Sequence, residues 1–297
     1  MHSEHRFSTL DAAIISLDPS IAMKEHRPTE TDRKRMVVIF PRGETLRNFV
    51  YTGTLDDLSS ESDVHLITVE PGPEFEGLLR SSSSQIHPLL HVPEPWMVRI
   101  QRELLDVAHN RWLWSGAAQE RSRLRDAEAV TFGQRSKRAA KKLISYPFAN
   151  RIGLRLLEKS ERVSSRLLRT ARDYELLYAQ LRPSLVFNGS HVHSRNAIQA
   201  VQAAQWLGIP TATFIFSWDN LTSQGRIMLP YDFFLVWNEP LKRQLLEMYK
   251  WIKPENVFVT GTPQFDLHFR EETYLSREDY CKPVSYTHLT LPTIYSV

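Results

Sequence analysis

Pro183-Ser184-Leu185-Val186-Phe187, Thr211-Ala212-Thr213-Phe214-Ile215-Phe216, Phe233-Phe234-Leu235-Val236-Trp237 and Val257-Phe258-Val259-Thr260 are four short apolar runs in the second half of the chain. Each is closed by a turn cluster: Asn188-Gly189-Ser190, Ser217-Trp218-Asp219-Asn220, Asn238-Glu239 and Gly261-Thr262-Pro263. Between the first two runs, residues 194–207 place Ala197, Ile198, Val201 and Ala204 on one helical face, and Gly208-Ile209-Pro210 stops that helix. Residues 240–250 predict another helix. Apolar runs of this length, unbroken rather than alternating, read as strands buried on both faces. Strand, helix and strand repeated in short units specify an α/β fold with a doubly wound parallel sheet.

The same pattern extends towards the N-terminus. Met36-Val37-Val38-Ile39-Phe40 predicts a strand, residues 45–58 a helical crossover, residues 64–69 a second strand closed by Glu70-Pro71-Gly72-Pro73, and residues 85–90 a weaker third. Residues 1–34 are polar, without periodicity, and read as a flexible leader. Residues 96–181 contain no convincing strand. There Leu104, Leu105, Ala108, Trp112 and Leu113, then Leu154, Leu157, Val163, Leu167 and Leu168, recur at helical spacing, so this stretch is expected to be a long helical insertion within a domain spanning 35–266. Between Arg121 and Arg172 it carries fifteen lysines and arginines against four acidic residues, a local charge of +11 in a chain whose total is only +3. The one cysteine, Cys281, excludes a disulfide framework and fits a reducing compartment. The apolar run at residues 12–17 is too short for a signal peptide, and no run approaches a membrane span. The reading is a cytoplasmic protein.

Ligands of open α/β sheets bind outside the carboxyl ends of the strands, which selects five loops. Phe40-Pro41-Arg42-Gly43-Glu44 offers a glycine for close approach to a ligand, or a simple turn. Asn188-Gly189-Ser190-His191-Val192-His193 opens a helix whose N-terminal N–H groups favour an anion, although Ser190 or Ser194 also fits a capping role. His191 is a candidate general base, because it titrates near neutrality at the right edge of the sheet. His191 and His193 point apart and have no third ligand at a recognisable spacing, so no metal site is expected. In the third loop, Trp218 beside Asp219 and Asn220 pairs an aromatic face with polar arms, as in sugar-binding surfaces, while core packing and capping remain open. Asn238 and the Gly261-Thr262 turn complete the set. There is no G-x-G-x-x-G, no phosphate-binding P-loop, no nucleophile elbow and no paired carboxylates.

Residues 216–225, followed by Tyr231-Asp232-Phe233-Phe234-Leu235-Val236-Trp237-Asn238-Glu239, resemble bacterial glycosyltransferases of the GT-B fold. The resemblance is greatest to the surface-carbohydrate and CDP-glycerol glycerophosphotransferase-like groups. Val259-Thr260-Gly261-Thr262-Pro263-Gln264-Phe265-Asp266 resembles the end of their N-terminal Rossmann-like domain. Nucleotide-sugar 2-epimerases share this fold and a related glycine-proline turn, so an isomerase is the alternative reading, with a non-catalytic basic binding module a third. The resemblance implies an acceptor-binding domain whose partner domain grips a nucleotide-activated donor, with catalysis between them and no obligatory metal or other cofactor. It implies that His191 or Asp219 is the base, that Ser217, Asn220 and Asn238 position a glycan or lipid-linked acceptor, and that Gly261 and Thr262 line the cleft. Arg42, Gly43, Ser190 and Trp218 join them as substrate contacts. Residues 267–283 would begin the interdomain linker. Residues 284–297 resemble the translation of a sequencing adapter, a non-native tail, so the expectation is a truncated GT-B architecture that is inactive alone. The basic helices suit an anionic membrane surface at its inner face; with no exposed aromatics expected among the charges, nucleic acid is not an expected partner.

Overall fold

A computed structural model describes residues 33–69, 79, 85–90, 93–191, 195–270, 274, 276 and 279. The expected leader before residue 33, the tail and most of the linker lie outside the described residues.

Seven strands form one sheet: β1 (Arg35–Phe40), β2 (Asp63–Thr68), β3 (Gln85–Pro88), β4 (Leu185–Asn188), β5 (Thr211–Ile215), β6 (Phe233–Val236) and β7 (Val257–Val259). Their order is β3-β2-β1-β4-β5-β6-β7, and every pairing is parallel. The chain runs outward from β1 to β3 and then returns to β4 on the other side of β1. The topological switch point therefore lies between β1 and β4, where Ile39 stands opposite Asn188. All seven strands match the expected runs; the central ones bury both faces, Val37 and Ile39 entering one core layer and Val38 and Phe40 the other, whereas the edge strands β3 and β7 are only partly buried.

Helices cover both faces. The crossover after β1 is split into α1 (Gly43–Phe49) and α2 (Thr54–Glu61), because Gly53 between them adopts φ 78°. The insertion is wholly helical among the described residues: α3 (Trp96–Leu113), α4 (Gly116–Ala127), α5 (Phe132–Ser145) and α6 (Arg151–Leu167), followed by α7 (Arg172–Leu181), which leads into β4. After β4, turns at residues 195–197 precede α8 (Ile198–Trp206), so this helix starts several residues later than expected from the sequence. A short helix α9 (Asn220–Ser223) follows β5, and α10 (Glu239–Met248) follows β6.

The insertion has a small core of Leu105, Ala108, Leu154 and Leu157. Val163, Leu167 and Leu168, expected from their spacing to belong to an apolar stripe, are exposed instead. The buried stripe of α6 runs through Leu154, Leu157, Glu158, Glu161 and Ser165, so two carboxylates occupy positions that apolar periodicity cannot detect. Both are paired. Glu161 accepts from Arg102 at 2.7 Å, and Arg102 also meets Glu94. Glu158 accepts from Arg226 at 2.6 Å, whose guanidinium also lies 3.3 Å from His109 and over the Tyr249 ring. The Glu158–Arg226 pair ties the insertion to the segment after β5, while the Arg102 pairs hold its own helices together. No helix among the described residues is long and apolar enough to cross a membrane.

Candidate functional site

The loops after β1, β4, β5, β6 and β7 stand side by side at the carboxyl edge because their strands are neighbours in the sheet. Helix α1 packs tightly against the switch point. Gly189 donates its N–H to the Ile39 carbonyl at 3.0 Å, and a Cβ on Gly189 would lie 3.1 Å from Thr45 Cγ2 and 3.2 Å from the Phe49 ring. The glycine is thus needed for close packing, not merely for the turn that Asn188-Gly189 signals. Gly43, by contrast, has open space where a Cβ would be. Arg42 is exposed and lies 3.8 Å from Glu44.

Asn188 ends β4 with its side-chain amide and carbonyl engaged. Its amide donates to the Tyr231 hydroxyl at 2.8 Å, its Oδ1 accepts the Ser190 N–H at 3.3 Å, and its carbonyl accepts Thr213 Oγ1 at 3.0 Å. This anchor directs Ser190 and His191 into the interior above β5. Ser190 is fully buried, and its hydroxyl has no hydrogen-bond partner among the described residues. His191 Nδ1 lies 3.3 Å from the Phe214 carbonyl. A carbonyl only accepts, so the contact selects the tautomer with hydrogen on Nδ1 and leaves Nε2 as the basic atom of the neutral ring.

The loop after β5 is closed on itself. Asp219 accepts from Ser217 Oγ at 2.5 Å and from Ser223 Oγ at 2.8 Å, while Asn220 Oδ1 accepts the Ser217 N–H at 3.2 Å. Partial burial pushes the Asp219 carboxyl upward, but the two hydroxyl hydrogen bonds outweigh it and hold the group below the usual carboxylate range. A carboxylate held so is a weak base near neutrality, and its geometry is that of a loop clamp. Asp219 precedes α9, its backbone carbonyl accepting from Thr222 and Ser223, but its side chain makes no capping hydrogen bond to the helix. Trp218, 67% exposed, stands out from the loop instead of packing in the core. Asn238 caps α10, accepting the Leu241 N–H at 2.9 Å. Gly261 turns the chain at φ 76°, and Thr262 behind it is buried, its hydroxyl without a partner among the described residues.

In sequence, no protein-family model and no curated protein matches this chain. Among solved structures it is similar to UDP-N-acetylglucosamine 2-epimerases. The enzyme from Neisseria meningitidis bound to UDP-GlcNAc is 11% identical, with a TM-score of 0.42 over 84% of this chain and 51% of that one. The enzyme from Rickettsia bellii is 10% identical, with a TM-score of 0.44 over 86% of this chain and 52% of that one. The chain thus spans about half the length of the solved structures it matches.

Two features of the site have no signal in the sequence. The segment after β7 turns back across to α1: Arg47 donates to Gln264 at 3.2 Å, and Arg270 reaches the Tyr51 and Thr52 carbonyls. The insertion, moreover, rests on the β5 loop. Ser115 Oγ donates to the Thr222 carbonyl at 3.0 Å, and Arg121 donates to the Ser223 carbonyl at 3.1 Å. Partners more than a hundred positions apart leave no local pattern to read. Among the described residues, no group of His, Cys, Asp and Glu could hold a metal ion.

Proposed function

We propose that this chain is the acceptor-binding half of a transferase that moves a sugar or glycerol phosphate from a nucleotide-activated donor to a cell-envelope glycan or lipid-linked acceptor. The supporting observation is the pairing, on adjacent strand ends, of an imidazole oriented by the Phe214 carbonyl with an exposed tryptophan on a loop stiffened by Asp219. His191 Nε2 takes the proton of the acceptor hydroxyl. The acceptor oxygen bonds to the donor's anomeric carbon or glycerol phosphorus, and the nucleotide leaves with the bonding pair. Trp218 stacks on an acceptor ring, Ser217 and Asn220 shape the loop beside it, and the buried Ser190 and Thr262 hydroxyls back the cleft. Donor binding is assigned to residues of the whole protein beyond this chain. The outer face of α6, where Ile152, Leu156 and Leu167 alternate with Arg155, Lys159 and Arg166, suits an anionic membrane surface holding a lipid-linked acceptor, at about 1 kcal/mol per basic residue.

The test is turnover by the whole protein with nucleotide-activated donors. His191→Gln is expected to lower kcat by about 10²–10⁴-fold, the range for loss of a general base. Trp218→Ala is expected to raise the acceptor KM with kcat little changed. Undiminished turnover in His191→Gln removes the base assignment. Conversion of the donor sugar without any acceptor supports a 2-epimerase in place of the transferase. Salt-sensitive binding to anionic vesicles with no donor turnover supports a binding module.

A further inference from the structure

The insertion forms a half-open pocket of about 340 Å³ between α3, α4 and α5, lined by no residue of the strand ends. Five of its lining residues are cationic, namely Arg111, Arg121, Arg125, Arg138 and Lys142, and none is a carboxylate. Two carboxylates reach those cations from behind: Asp106 pairs with Arg125 at 2.6 Å, and Asp126 is shared by Arg138 and Lys142. The cavity therefore keeps an excess of positive charge. Arg121 directs its hydrogen bonds to neutral acceptors, Asn110 Oδ1 at 3.0 Å and the Ser223 carbonyl at 3.1 Å. Burial pushes its guanidinium below the ordinary arginine value, against the pull of Asp106.

Arg111 faces rings instead of a carboxylate, its guanidinium carbon 5.2 Å from the centre of Trp114 and 5.4 Å from that of Tyr146. Trp114 holds this position at φ 41°, a left-handed conformation that a bulky residue rarely adopts. Leu143 and Tyr146, both largely exposed, form the apolar rim. Forked guanidiniums beside an ammonium match phosphoryl oxygens, and the rings offer a flat face beside them.

We propose that this cavity binds a phosphate-bearing ligand, with phosphoryl oxygens on Arg111, Arg121 and Lys142 and an apolar or aromatic appendage on Trp114 and Tyr146. The site is independent of the chemistry at the strand ends. It is joined to that edge through Arg121, whose acceptor residue Ser223 also clamps Asp219. A soluble organic phosphate and a lipid headgroup share this chemistry.

Calorimetric titration of the protein with inorganic pyrophosphate at low ionic strength tests the proposal. Saturable one-site binding is expected, weakened at least about ten-fold by Arg111→Gln and by Lys142→Gln, the loss of one charge-assisted contact. Arg111→Lys should recover part of it. Lys137→Gln, exposed on α5 but outside the cavity, should leave affinity within about two-fold. Sedimentation with phosphatidate-containing vesicles separates the two sources. If Arg111→Gln also weakens vesicle binding and pyrophosphate displaces it, the ligand is a lipid headgroup. If vesicle binding is unchanged while pyrophosphate affinity falls, the ligand is soluble. Absence of saturable pyrophosphate binding, or an equal loss in Lys137→Gln, overturns the proposal.

Discussion

Gly189 is where the side chains of α1 meet the backbone of the switch point. In Gly189→Ala the new methyl group would press on Thr45 and Phe49 at 3.1 and 3.2 Å, so the helix must yield by a few tenths of an ångström. The expected cost is about 1–2 kcal/mol, read as a lower denaturation midpoint with an unchanged slope; an unshifted midpoint would mean that α1 is less tightly seated. The sequence could mark this glycine only as a turn residue, because the partners that make it indispensable come from another element. The same limit applies at Asp219. Its position after a strand and beside a tryptophan made it a candidate base, yet Ser217 and Ser223 bind both of its oxygens. Residue type and strand register nominate candidate residues, whereas their roles depend on hydrogen bonds that register does not specify.

At the scale of elements, the strands and the helical nature of the insertion are legible, but the faces that its helices bury are not. A strand of a two-sided parallel sheet must be apolar throughout, and that signature is hard to mistake. Helix α6 buries Glu158 and Glu161, and it exposes Leu167 at 77%. Apolar spacing alone therefore assigned the wrong face to its second half. The expectation that the basic stretch lacks exposed aromatics also fails, since Phe132 is 87% and Tyr146 64% exposed. The buried pairs behind α6 make a firm prediction. Glu158→Ala leaves the Arg226 guanidinium buried without its carboxylate, and should cost about 3–5 kcal/mol. The double replacement Glu158→Leu with Arg226→Met should cost much less, because no buried charge is then left alone. Equal losses in the single and double variants, measured by urea unfolding, would show that the pair is not what holds α6 in place.

For the whole molecule, acid is the expected weak point. His109 is fully buried; burial above all, with Arg226 adding to it, lowers its pKa to about 3. The unfolded chain takes up a proton at this residue near pH 6.5 while the folded chain refuses it. Stability should therefore fall as pH drops from about 6.5 towards 3, by up to about 1.4 kcal/mol per unit. Asp106 and Asp126 are both held below the usual carboxylate range despite desolvation, by Arg125 and by Lys142 with Arg138 respectively, and they add losses of the same sign at lower pH. His109→Gln should flatten the slope between pH 4 and 6.5 in pH-dependent melts; an unaltered slope would point to the carboxylates alone. The strand order carries a further consequence, for the timing of folding. Met36 pairs with Leu185, and the whole insertion is made between them. On a ribosome, β1 and β2 can pair early, but the central seam of the sheet must wait until five more helices have emerged. Until then the β4-facing edge of β1 stays open, so the nascent chain passes through a long interval in which it needs protection from pairing with a neighbour.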